Sequence, residues 1–187
     1  MQLKPPARPT DEVISYTHCG NDPRNWTHFA QALFAASAIL RRERERETAN
    51  LHGSGVAPIE MLTVWIEPML ASFGIECLVK ALWVRQGHEI VRDGKYVPII
   101  KKEGHRLVPL CEAVGIPLDG RERDTLQRIS AIARCIGRYP IPLRSSEPYG
   151  DWSSEDDRVI ENFVLRLKRQ LRKRRLDGSD SGDPKKR

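Results

Sequence analysis

Glu76 and Lys80 stand four residues apart in the run Phe73-Gly74-Ile75-Glu76-Cys77-Leu78-Val79-Lys80-Ala81-Leu82, which is otherwise largely apolar. On a helix this spacing puts a carboxylate and an ammonium on one face, in the favourable acid-first order. An exposed pair of this kind contributes only a few tenths of a kcal/mol. Charged residues are rarely buried unless paired, so the alternative is that the two face a groove or a partner. His105 opens a later helix-like segment. A cap or backbone contact is its plain role, and titration near neutrality gives it a chemical one. Further on, Arg134 and Arg138 lie towards the polar side of a helical stripe, and Tyr139-Pro140 reads as an aromatic lid followed by a helix stop. Arg166, Lys168, Arg169, Arg172, Lys173, Arg174 and Arg175 then place seven cations within ten residues. One or two cations would suit a solvated helix end. Seven also suit contact with a polyanion, which would be independent of base sequence and sensitive to salt. No aromatic ladder is interleaved with them, so base stacking is not indicated.

The elements that must position these residues are helical. Asn21-Asp22-Pro23 is a cap and helix-start signal. Behind it Trp26, Phe29, Leu33 and Leu40 recur at helical spacing, with Ala30 and Ser37 on the same face. The alternating Arg41-Arg42-Glu43-Arg44-Glu45-Arg46-Glu47 reads as a solvated end. A second helix carries Leu62, Trp65, Ile66, Met69, Phe73, Cys77, Ala81 and Val84, widened by Leu70, Leu78 and Leu82. Such breadth puts it in the middle of a bundle, and Pro68 within it predicts a kink. Between residues 88 and 104 the period changes. Asp93-Gly94, between Ile90-Val91-Arg92 and Lys95-Tyr96-Val97, predicts a small type I′ hairpin. A short third helix carries Leu107, Leu110, Cys111 and Val114. Asp119 caps a fourth, with Leu126, Ile129, Ala133 and Ile136 inward. Ser153 or Ser154 opens a fifth, with Ile160, Phe163, Val164, Leu167 and Leu171 inward and Glu155, Asp156 and Asp157 at its positive end.

Composition sets the outer limits. The 187 residues suit one domain. The formal charge of +6 is uneven: from Arg158 onward eleven Lys/Arg face four Asp/Glu, whereas the preceding 157 residues carry twenty against twenty-one. The basicity therefore belongs to the last helix and tail. Cys19, Cys77, Cys111 and Cys135 are widely spaced, with no CxxC pair, and read as reduced thiols. The histidines are too scattered for a zinc site. No apolar run of membrane-spanning length and no signal-peptide stretch is present, so cytoplasmic residence and no membrane contact are expected. Neither a P-loop, G-x-G-x-x-G, G-x-S-x-G nor H-E-x-x-H occurs, and no cofactor or metal is expected.

Three patterns in order carry a resemblance: the Glu76/Lys80 run, Gly104-His105-Arg106-Leu107-Val108-Pro109-Leu110, and Arg138-Tyr139-Pro140. Together, over residues 60–140, they resemble the HEPN domains (higher eukaryotes and prokaryotes nucleotide-binding). The resemblance implies an all-α, five-helix bundle, a homodimer, and a ligand such as RNA or a nucleotide. It would place Arg134 and Arg138 at a groove between two copies, with Tyr139, Glu76, Lys80 and His105 as further binding residues. Active members cleave RNA with an Arg followed four to six residues later by a His, the Arg steadying phosphate charge and the His moving protons. Here the last histidine of the chain is His105. The expectation is thus a non-catalytic HEPN-like module that binds RNA, a nucleotide or a partner protein. A diverged ribonuclease or toxin-system component and a purely structural interaction module are the alternatives. The expected organisation is a flexible arm over 1–21, the bundle over 22–176, and a disordered, basic-ended tail over 177–187.

Overall fold

The computed structural model describes residues 10–50, 65–101, 105–134 and 152–177. Among these residues the chain is mostly helical: α1 (Asp11–Gly20), α2 (Pro23–Asn50), α3 (Ile66–Arg85), a two-stranded hairpin of β1 (Val91–Arg92) and β2 (Lys95–Tyr96), then α4 (Leu107–Ala113), α5 (Gly120–Arg134) and α6 (Ser154–Asp177). Five of the helices are those that the periodicity predicts. The sixth, α1, replaces part of the expected loose arm. Thr10 caps it by accepting the Val13 amide at 3.4 Å, and Asp11 and Glu12 occupy its positive end. It buries no residue fully, which is why no apolar stripe announced it.

What holds α1 in place is the hairpin. The turn residues Asp93 and Gly94 have φ of 52° and 71°, as a type I′ turn requires. Val91 pairs with Tyr96 and Arg92 with Lys95. Thr17 Oγ1 accepts the Gly94 amide at 3.3 Å. Asn21, between α1 and α2, serves the open edge of β1 like a third strand. Its Oδ1 accepts the amides of Ile90 and Val91 at 2.8 and 3.0 Å, and its Nδ2 donates to the Val91 carbonyl at 2.7 Å. Ile90 and Val91 are buried, so these groups have no easy substitute in water. Asn21→Ala is expected to destabilise the fold by about 2 kcal/mol. Hydrogen exchange should show the Ile90 and Val91 amides losing protection first, and unchanged protection there would refute this role.

The central helix is α3, buried around most of its circumference and packed against α2, α4, α5 and α6. Pro68 is its third residue, so it sits in the first turn, where no intrahelical amide bond is lost, and not at an interior kink. Leu62 lies outside the described residues. α2 lies close along α3 because Gly74 has no side chain. A β-carbon there would come within 2.8 Å of the Phe34 ring. The inward face of α2 is Trp26, Ala30, Leu33, Phe34 and Ser37. Phe29, expected in that stripe, is 62% exposed, since it lies 100° round the helix from Ala30.

The remaining elements follow their local signals. Asp119 and Glu122 exchange hydrogen bonds across the start of α5, at 2.7 and 3.2 Å. Ser153 and Asp156 do the same at α6. α4 has no cap of its own, and Ser130 of α5 accepts the Leu107 amide at 3.1 Å. Phe163, Leu167, Leu126, Ile129, Leu107 and Leu110 close the core around α3. Cys77 and Cys111 are buried and Cys19 is exposed. Burial pushes the two buried thiols up to about 11 and about 12, far from a reactive thiolate. Ile136 and Cys135 lie outside the described residues, as do residues 1–9 of the arm and 178–187 of the tail. No helix among the described residues is long and apolar enough to cross a membrane, and none of their His, Cys, Asp and Glu side chains cluster in threes to hold a metal.

Candidate functional site

Glu76, Lys80 and His105, separated by up to 29 positions, meet in one cluster. Glu76 and Lys80 are 8% and 7% exposed, so they form a buried pair and not a surface one. Lys80 Nζ donates to Glu76 Oε1 at 2.7 Å, and His105 Nδ1 lies 2.7 Å from Glu76 Oε2. The ammonium sits 5.2 Å from the ring centres of both Trp26 and Tyr96. The hairpin therefore supplies one aromatic wall and α2 the other, a cation–π arrangement that partly replaces lost water. His105 packs 4.7 Å from the Phe73 ring and has φ of 59°, unusual for a residue with a β-carbon. Burial alone would raise the Glu76 carboxyl. The charge and hydrogen bond of Lys80, aided by His105, outweigh it and hold the carboxyl below its ordinary value. Chemically, the carboxylate orients an imidazole, as acid–base sites require, while it also ties α3 to the start of α4.

A second buried network crosses the other end of the bundle. Glu67, in the first turn of α3, is 2% exposed and takes Arg41 Nε at 2.5 Å and Arg44 Nη2 at 2.8 Å. Arg41 reaches on to Asp157 at 3.2 Å and Glu161 at 2.5 Å on α6. One guanidinium thus spans α2, α3 and α6.

Between that network and the start of α2 runs a furrow, walled by α2 and α6. Its first half is apolar, a groove of about 330 Å³ lined by Phe34, Ala38, Ala71, Ile160, Val164 and Leu165. Its second half is a cleft of about 610 Å³, where Arg24 and His28 of α2 and Arg85 at the end of α3 meet Lys168 and Arg172 of α6. Lys168 borders both halves, with its ammonium 5.2 Å from the Phe34 ring centre. Asp22 is the one acid in the cleft lining. Arg24 grips it through Nε and Nη2 at 2.8–3.0 Å, and these bonds hold its carboxyl below the usual aspartate range. Arg85 donates to the Leu171 carbonyl, which anchors α6 at this wall.

The cations expected on α6 are thereby divided. Lys168 and Arg172, one turn apart, face the cleft, and Arg169 and Lys173 are exposed on an adjacent face. Arg166 is held internally: it reaches Glu122 at 2.6 Å and the Pro117 carbonyl at 2.9 Å, with its guanidinium 5.1 Å from the Phe163 ring centre. The side chains of Arg174 and Arg175 lie outside the described residues, as do Arg138 and Tyr139. Arg134 is exposed at the end of α5 and does not line the cleft. Sequence reasoning missed Arg24, His28 and Arg85. They come from segments of ordinary composition, and only the antiparallel run of α2 beside α6, with the end of α3 between them, adds them to the basic face.

Comparison with protein-family models, with curated proteins and with solved structures finds no match.

Proposed function

We propose that this chain is a non-catalytic, HEPN-like module that binds single-stranded RNA through its phosphates, at the cleft between α2 and α6. The observation that carries this reading is the convergence of Arg24, His28, Arg85, Lys168 and Arg172, drawn from three helices, on one concavity. Cations that merely solvated a helix end would point away from their neighbours. Here two of the α6 cations face a wall that carries three more basic side chains. An RNA backbone seated there makes charge-assisted contacts without reading bases. Fluorescence anisotropy with a labelled single-stranded RNA at several salt concentrations tests it. The Lys168→Glu/Arg172→Glu double variant should lose on the order of tenfold or more in affinity, and its salt slope should shrink by about 1.4 for two lost phosphate contacts. Arg134→Ala, at the end of α5, should bind as the parent does. Binding that ignores salt and survives the double reversal would favour a partner protein over RNA.

The hydrogen bond between Glu76 and His105 favours a second reading, a diverged ribonuclease with His105 as its base. The same RNA, followed over hours by gel, stays intact under the first reading and is cut in a His105-dependent way under the second.

A further inference from the structure

We propose that the furrow between α2 and α6 binds a single-chain amphiphilic anion, an alkyl or acyl chain that ends in a phosphate monoester. The chain lies in the apolar groove and the phosphate in the basic cleft. The two halves are continuous, since Lys168 lines both. At about 330 Å³ the groove is within the size range of small-molecule sites. The contact of Arg41 with Glu161 at 2.5 Å bounds its far end, and the near end opens on Lys168. A ligand that fills it is therefore apolar at one end and anionic at the other.

The lining selects an aliphatic chain. Ala38, Ala71, Ile160, Val164 and Leu165 present side chains without a polar atom. The polar members of the wall are already engaged: Ser37 donates to the Glu67 carbonyl at 3.1 Å, and Arg41 and Glu161 hold each other. A nucleobase or an extended peptide would bury donors and acceptors here without partners, whereas a methylene chain has none to satisfy. The groove's one aromatic ring, Phe34, lies against Gly74 at its tip and carries the Lys168 ammonium 5.2 Å from its centre. It is engaged and not set out as a stacking platform. The head is selected by the cations that remain in the cleft. Arg24 is committed to Asp22, and Arg85 to the Leu171 carbonyl. Lys168 and Arg172, one turn apart on α6, face the cleft, and among the described residues no carboxylate pairs with either. Two adjacent cations match the charge of about −1.5 to −2 that a phosphate monoester carries at neutral pH. From Arg41 to Phe34 the groove runs about 10 Å along α2. That length and volume take one chain, so the occupant is a free molecule and not a bilayer surface. The site shares Lys168 and Arg172 with the RNA reading but does not rest on it.

Isothermal titration calorimetry with butyl, hexyl, octyl and dodecyl phosphate, each below its micellar concentration, tests the site. One molecule should bind per chain. Affinity should rise at least about twofold per added methylene from butyl to octyl, against about fourfold for full burial, and then level off as the groove fills. Octyltrimethylammonium, the same chain with the opposite charge, should not bind. Lys168→Glu/Arg172→Glu should abolish binding of the whole series. Ala38→Trp, at an exposed position on the groove wall, fills the groove. It should bring octyl phosphate down to the affinity of butyl phosphate and leave butyl phosphate unchanged. If Ala38→Trp does not fold, Leu165→Asn decides: Leu165 is 49% exposed at the same wall, and its loss should lower the octyl-to-butyl ratio at least about threefold. Affinity indifferent to chain length, equal binding of the ammonium, or a chain-length gain that survives these groove variants would each overturn the proposal. Binding to phosphatidate vesicles without binding to the monomers would overturn it too, in favour of a membrane surface. The alkyl series is measured without RNA, and Ala38→Trp should bind RNA as the parent does, so the two readings fail separately.

Discussion

Lys80→Met is expected to lower the unfolding free energy by about 3–5 kcal/mol, read from urea unfolding at neutral pH. The loss comes from the partner left behind. Glu76 stays buried, with the His105 contact as its remaining partner and without the ammonium that outweighed its desolvation. The double variant Glu76→Gln/Lys80→Met removes both charges and should recover most of the loss, because a buried pair contributes far less net stability than a stranded charge costs. The pH dependence has a definite sign. The folded carboxyl of Glu76 lies below its unfolded value, so its contribution is fully present above the ordinary glutamate range. It is lost as pH falls through the lowered folded value. The gap between the parent and Lys80→Met should therefore narrow in acid and be widest near neutrality. Equal stability of parent and variant at pH 7 would mean that the pair is solvated and the cluster is not a buried site.

Arg41→Met should cost about 3 kcal/mol in the same measurement. Arg41 is the cation that joins Glu67 on α3 to Asp157 and Glu161 on α6. Without it three carboxylates crowd one end of the furrow, and Arg44 is left as the neighbour of the buried Glu67. Arg92→Met is the matched control. Its pair with Glu89 is exposed at both ends, and solvent screening leaves such pairs little net stabilisation. If the two variants lose the same amount, the Arg41 network is a surface decoration and not a clamp between helices.

These two sites show how far local reasoning reached. The i,i+4 spacing of Glu76 and Lys80 predicts their contact, and the structure has it. That spacing says nothing about their solvent exposure, which is set by Trp26 and Tyr96 arriving from α2 and the hairpin. A surface pair worth a few tenths of a kcal/mol thus becomes one whose disruption costs several. Similarly, the alternating charges after Leu40 read as a solvated end. Arg41 and Arg44 are instead drawn inward by Glu67, a residue more than twenty positions away. The second basic element behaves in the same way, since Arg166 is tied to Glu122 while Lys168 and Arg172 meet residues of α2.

What the sequence by itself determined are the features closed within one or two helical turns. They are the apolar stripes of α3, α5 and α6, the caps at Asp119 and Ser153, and the Asp93-Gly94 turn. Each depends on contacts three or four residues apart, or on a backbone angle that one residue type permits, and so is written in local order. The tertiary structure alone decided that residues 11–20 form a helix, that Pro68 falls in the first turn of α3, and that Phe29 faces outward. It also decided that His105 reaches Glu76, and that five basic side chains from three helices share one cleft. These depend on which surfaces remain when α2 and α6 lie along α3, and contacts made across a bundle leave no period in the chain that makes them.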